Sequence, residues 1–116
     1  MVGEKQMNAD ELWTVLDKER LTSFPQQLPD NFIHNLQLYI ANLELGISGK
    51  EELRAARRRV VNIIQRREGK IVKLAVANAK IPETLLETEE SLFEQIREAC
   101  ATFEESMLKE LNGEKE

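Results

Sequence analysis

An all-α fold, a helical bundle of about four helices with a long third and fourth, is what this 116-residue sequence predicts. Apolar residues recur three and four positions apart in four separate stretches, the spacing of one helix face. No stretch alternates polar and apolar residues long enough to demand a strand. The three prolines and most of the five glycines stand between the periodic stretches rather than within them. An apolar fraction of 41% with 32% charged residues suits one folded domain and argues against disorder. The expected organisation is a flexible N-terminus over 1–7, one helical domain over 8–112 and a flexible tail over 113–116.

The first helix is expected from Ala9 to Leu21, with Asn8 or Asp10 as N-cap and Leu12, Trp13, Val15 and Leu16 grouped on one side. Ser23-Phe24-Pro25 ends it. The second follows Leu28-Pro29-Asp30, proline and aspartate both suiting a first helical turn. Phe32, Ile33, Leu36, Tyr39, Ile40 and Leu43 keep its apolar face, and Gly46 closes it. For the third helix, Ser48 and Glu51 form a possible capping box, and the helix runs about 30 residues to Lys80. Its stripe is Leu53, Ala56, Val60, Ile63, Ile64, Ile71, Leu74 and Ala75. Gly69 interrupts it, which implies a bend or a close backbone neighbour. Ile81-Pro82 stops it. The fourth helix starts near Thr88 as cap and carries Leu92, Phe93, Ile96, Ala99, Cys100, Phe103, Met107, Leu108 and Leu111 to a stop at Asn112-Gly113. Connections of roughly four to eight residues make these helices neighbours in a bundle.

At 1.5 Å per residue the last two helices reach on the order of 45 and 35 Å, longer than a compact domain of this size encloses. Part of their surface is therefore expected to meet a partner. Val61, Val72 and Val76 fall beside or away from the third helix's stripe, and together with Phe103, Met107 and Leu111 they are the candidate interface residues.

The net charge of −5 is unevenly spread. Residues 1–49 carry 3 basic and 7 acidic side chains, residues 50–80 carry 10 and 3, and residues 81–116 carry 3 and 11. Such a layout favours complementarity within or between subunits, and an external polyanion second. Arg59, Arg66, Lys70, Lys73 and Lys80 share one strip of the third helix, suited to an acidic helix or to nucleic-acid phosphates. Arg67 instead falls inside the apolar stripe. A buried cation needs a carboxylate, and Glu19 or Asp17 of the first helix is the expected partner.

Catalytic and metal chemistry find little material. No nucleophile–base pair is visible, and the one histidine, His34, lies on a helix flank. The single Cys100 forms no intrachain disulfide and no paired-cysteine metal site; it is expected to be buried and inert. Gly46 and Gly49 match no phosphate-binding fingerprint and read as a plain turn. No cofactor or metal is expected. The longest apolar run is a few residues against the roughly 20 that span a bilayer, and Met1 to Gln6 show no secretory pattern, so a cytoplasmic protein is expected.

The run Leu16-Asp-Lys-Glu19-Arg20, then Leu28-Pro29-Asp30-Asn31-Phe32, then Tyr39-Ile40-Ala-Asn-Leu43-Glu44 resembles the N-terminal helical domain of the GINS replication-complex family, especially its archaeal subunits. Glu52-Leu53-Arg54, Arg57 and Arg66-Arg67-Glu-Gly-Lys70-Ile71, leading into Leu74-Ala75, extend the resemblance over about residues 9–80. What it implies is a non-catalytic scaffold: self-association or pairing with another GINS-type subunit as a tetramer, links to the MCM helicase and a RecJ-like protein, and a nucleoid-associated location. Members usually add a small β domain, for which this sequence has no counterpart. Two alternatives stand beside it. Glu52-Leu53-Arg54 followed by Ile63, Ile64, Arg66, Arg67 and Lys70 is similar to the first helix of chorismate mutases, although two helices precede it here. A helical nucleic-acid-binding module would rest on the strip from Arg59 to Lys80, against a sequence pI of 5.1 and few aromatics.

Overall fold

The computed structural model describes residues 7–46 and 49–113. They form four helices in the order α1 (Ala9–Leu21), α2 (Phe32–Leu45), α3 (Lys50–Val76) and α4 (Glu87–Leu111), with no strand among the described residues. The chain is a helical bundle, and it is elongated. Its extents are 66 × 28 × 25 Å and its radius of gyration is 19.3 Å, against about 13 Å for a compact domain of this length.

The elongation follows from how the helices are laid on α3. Among the described residues α3 is the one helix that packs on each of the others. Trp13 of α1 lies at Arg59 and Glu19 at Arg67, so α1 runs parallel to α3. The start of α2, at Phe32 and Leu36, lines a small cavity with Val60, Ile63 and Ile64, while Leu43 near its end lies against Gly49, so α2 runs antiparallel to α3. Glu44 also meets Arg57 at 3.1 Å, and the Tyr39 hydroxyl donates to Glu52 at 3.1 Å. Burial, and then the Glu52 carboxylate, push the Tyr39 phenol above its ordinary pKa. The connection 77–86 folds back along α3 before α4 starts. Glu89 therefore sits at Arg67 while Phe93 packs with Ile71 and Ala75, and α4 also runs parallel to α3. Both this connection and 22–31 are ten residues long, beyond the short links expected; 77–86 carries the chain back from Val76 to the level of Arg67.

Two cores result. The larger joins Leu12, Val15, Leu16, Leu28, Phe32, Leu36, Tyr39, Ala56 and Ile63, together with Met7. Met7 is 8% exposed, so it belongs to this core rather than to a flexible N-terminus. The smaller joins Ile71, Ala75, Leu85 and Phe93, with Leu74, Ile81, Leu92 and Ile96 packed against it.

Local chemistry sets the helix ends. Asn8 caps α1, its side chain accepting from the Glu11 N–H at 2.9 Å. Pro29 and Asp30 lie outside α2: the Phe32 N–H donates to the Pro29 carbonyl across a turn, and Asn31 takes a left-handed φ of 57°. Asparagine tolerates that conformation better than most residues. At the start of α3 the Ser48 half of the expected capping box lies outside the described residues, and Gly49 occupies the cap position. α3 ends at Val76 rather than Lys80. Asn78 is left-handed at φ 54°, the Asn78 N–H donates to Ala75 and the Ala79 N–H to Leu74, a Schellman stop that the sequence reading missed. Thr88 does not cap α4, which begins one residue earlier. Its first turn is closed instead by the Glu89 carboxylate, which accepts from the Leu86 N–H at 2.9 Å.

Two glycines in α3's neighbourhood have opposite meanings. A Cβ on Gly69 would meet nothing within 4 Å, so no backbone approaches there, contrary to one expectation from sequence. A Cβ on Gly49 would lie 2.8 Å from the Leu43 carbonyl oxygen, where only glycine fits. Gly69→Ala is expected to stabilise the fold by about 0.5–1 kcal/mol through helix propensity. Gly49→Ala should lower stability by forcing the α2–α3 junction apart. Thermal melts of the two variants should move in opposite directions.

Candidate functional site

The polar centre of the molecule is Arg67, which is 2% exposed in the middle of α3. Its position in the helical stripe drives it inward, where a guanidinium is tolerable only if its donors are met. All five N–H groups have acceptors. Nε and Nη2 donate to the two Glu89 oxygens at 2.6 and 2.7 Å, a bidentate pair. Nη1 donates to Glu19 at 2.9 Å and to the Gln26 carbonyl at 2.8 Å, and Nη2 also donates to the Thr84 carbonyl at 3.2 Å. Glu19, fully buried, takes a second cation: Lys70 donates to its other oxygen, and the Gln26 amide adds a bond at 3.1 Å.

Two cations and two carboxylates thus form a neutral buried set that ties α1, α3 and α4 to both long connections. The Thr84 hydroxyl donates to the Pro25 carbonyl at 2.6 Å and fastens the two connections to each other. Burial alone would raise the Glu19 carboxyl, but bonds from Lys70, Arg67 and Gln26 outweigh it and hold its pKa below the ordinary value. Burial opposes charge on Arg67 too, and its bonds to Glu89 and Glu19 overcome this and raise its pKa. A carboxylate with a depressed folded pKa contributes stability above its unfolded value and loses it as pH falls through the folded one. Urea midpoints should therefore be flat above about pH 4.5, the ordinary value of a glutamate carboxyl, and decline below it. In Glu19→Gln that acid-side decline should be shallower.

The expected basic strip divides. Lys70 is bound to Glu19, and Arg59 lies over the Trp13 ring at 4.4 Å. Arg66 donates to Asn62 of its own helix. Lys80 is outside the strip altogether, because α3 has ended four residues before it. Only Arg66 and Lys73 project from this strip as exposed cations.

The candidate interface residues share one property. Val61, Val72, Val76, Phe103, Met107 and Leu111 are all solvent-exposed, at 37% to 76%. Ile64, expected in the stripe, is also exposed at 58% and lies on the same side of α3 as the valines. On α4 the last residue packed into a core is Ile96. Beyond it the helix outruns α3, and none of residues 101–111 is buried. Cys100 is consequently half-exposed rather than buried, since the helix expected to cover it stops at Val76. His34 is exposed.

No family model, curated protein or solved structure matches this chain. Among the described residues no group of three or more histidine, cysteine, aspartate or glutamate side chains could hold a metal, and no helix is long and apolar enough to cross a membrane. Sequence reasoning missed Glu89, Gln26 and Thr84 around Arg67. The available signal was donor arithmetic: one carboxylate cannot satisfy five N–H groups.

Proposed function

We propose that this chain is a non-catalytic helical assembly subunit, a scaffold of the GINS-like kind that its sequence resembles. The observation that carries the reading is the distal half of α4. Phe103, Met107 and Leu111 continue the face on which Phe93 and Ile96 pack against α3, yet nothing covers them. A helix of eleven residues without packing is marginal in water, so a partner helix is the natural source of its stability. The exposed face of α3 formed by Val61, Ile64, Val72 and Val76 adds a second apolar surface of the same kind. Four large side chains on α4, counting Leu108, offer a contact that a second copy can complete by two-fold symmetry.

The occupants implied by the resemblance are this chain itself or a companion GINS-type subunit, in a tetramer that links the MCM helicase to a RecJ-like protein beside nucleoid DNA. The chorismate-mutase-like alternative draws less support. Arg67 and Lys70, the cations it would use on a dicarboxylate, are held by Glu89 and Glu19. The test is the solution mass of the chain and of variants at Phe103 and Leu111, together with binding to a second GINS-type subunit.

A further inference from the structure

We propose that the cleft between α1 and α3 around Trp13 binds single-stranded nucleic acid through its phosphates. The cleft has a volume of about 200 Å³ and is lined by Trp13, Arg20, Arg58, Arg59 and Asn62 over a floor of Leu16 and Ala55. It forms because α1 runs parallel to α3 and places the one tryptophan of the chain opposite a run of arginines, Arg57-Arg58-Arg59. The Arg59 guanidinium lies 4.4 Å from the Trp13 ring centroid and that of Arg20 lies 5.7 Å from it. Stacking orients a guanidinium while leaving its N–H edge free to fork onto an anion.

The charges here are poorly compensated. Among the described residues Arg58 and Arg59 have no carboxylate partner, and Arg20 meets only Asp17, at 3.5 Å. One turn further along α3, Arg66 is exposed and bonded to Asn62, a residue of the cleft wall. Two guanidiniums already lie over the Trp13 ring, so the groove offers cationic N–H edges to phosphates and guanidinium planes, with the exposed part of the indole, to bases, the chemistry that holds single strands. A flexible strand can enter a concave cleft of this size, which a duplex cannot.

An acidic helix from a protein partner is the competing occupant of any basic surface. Such a helix also needs an apolar face to lie on. On α3 that face is Val61, Ile64, Val72 and Val76; of the cleft residues Arg59 and Asn62 stand about 160° and 100° around the axis from Val61, while Arg58, at about 60°, borders the face. The arginine cleft and the apolar face adjoin at Arg58 and are centred on different sides of α3, and this inference does not rest on the assembly reading.

Trp13 is the only tryptophan and reports on the cleft directly. Its fluorescence should change saturably when the full chain is titrated with a single-stranded thymidine oligonucleotide of about 15 residues at low salt. Affinity should fall as salt rises, with a log–log slope of about −0.7 per phosphate contacted. The double variant Arg58→Ala/Arg59→Ala should bind at least tenfold more weakly and with a slope reduced by about 1.4, while circular dichroism stays unchanged. Lys73→Ala, about three turns beyond the cleft, should bind within twofold of the parent. No saturable signal at about 50 mM salt would overturn the proposal. So would equal affinity for duplex DNA, or for polyglutamate, which would assign the cleft to an acidic protein segment instead. A double variant that binds as the parent does would also refute it.

Discussion

Replacing Arg67 by alanine should cost about 3–5 kcal/mol, the typical loss when one partner of a buried ion pair is removed. The reason lies in what remains. Glu19 is fully buried and Glu89 side-chain exposure is 17%, so two carboxylates would be left facing each other with only Lys70 nearby. The Gln26 and Thr84 carbonyls lose their donors as well. Against a total stability of about 5–15 kcal/mol for a domain, that loss leaves little. Urea unfolding at a fixed, low protein concentration should show a midpoint collapse. Glu89→Gln should be milder than Glu19→Gln, because Glu89 keeps some contact with water. An Arg67→Ala protein within about 1 kcal/mol of the parent would mean that the network is not what joins the two cores.

The second large effect concerns association rather than folding. Phe103→Glu combined with Leu111→Glu should weaken assembly by at least about 100-fold, since burying each of these side chains is worth about 1.5–3 kcal/mol. Monomer stability should hardly change, because these side chains are 64% and 76% exposed within the chain itself. Helicity should fall in the variant at low concentration, as the distal turns of α4 lose the packing that sustains them.

Most of the helical architecture could be read from spacing. α1 runs from Ala9 to Leu21 as the Asn8 cap and the following apolar face suggested, and the inward position of Arg67 followed from the wheel alone. What escaped were features set by tertiary arrangement or by φ. The stop after Val76 depends on Asn78 turning left-handed, and asparagine in a polar stretch does not announce that choice. Glu89 could not be matched to Arg67 until the connection 77–86 had folded back along α3. The apolar stripe of α4 gave the helix correctly but not its partner. Phe93 and Leu111 look alike in sequence, yet one is buried and the other projects past the end of α3. The basic strip failed for a related reason: Lys70 and Arg59 were drawn to partners on α1 that helix periodicity cannot reveal.

Solution mass tests the central claim most directly. By light scattering at roughly tens of micromolar, the chain should have a mass that is a multiple of its own, or form a complex with a GINS-type subunit. In either case the assembly should revert to single chains when Phe103 and Leu111 carry glutamate. A monomer that binds no such subunit, with α4 still fully helical to Leu111, would contradict the assembly account.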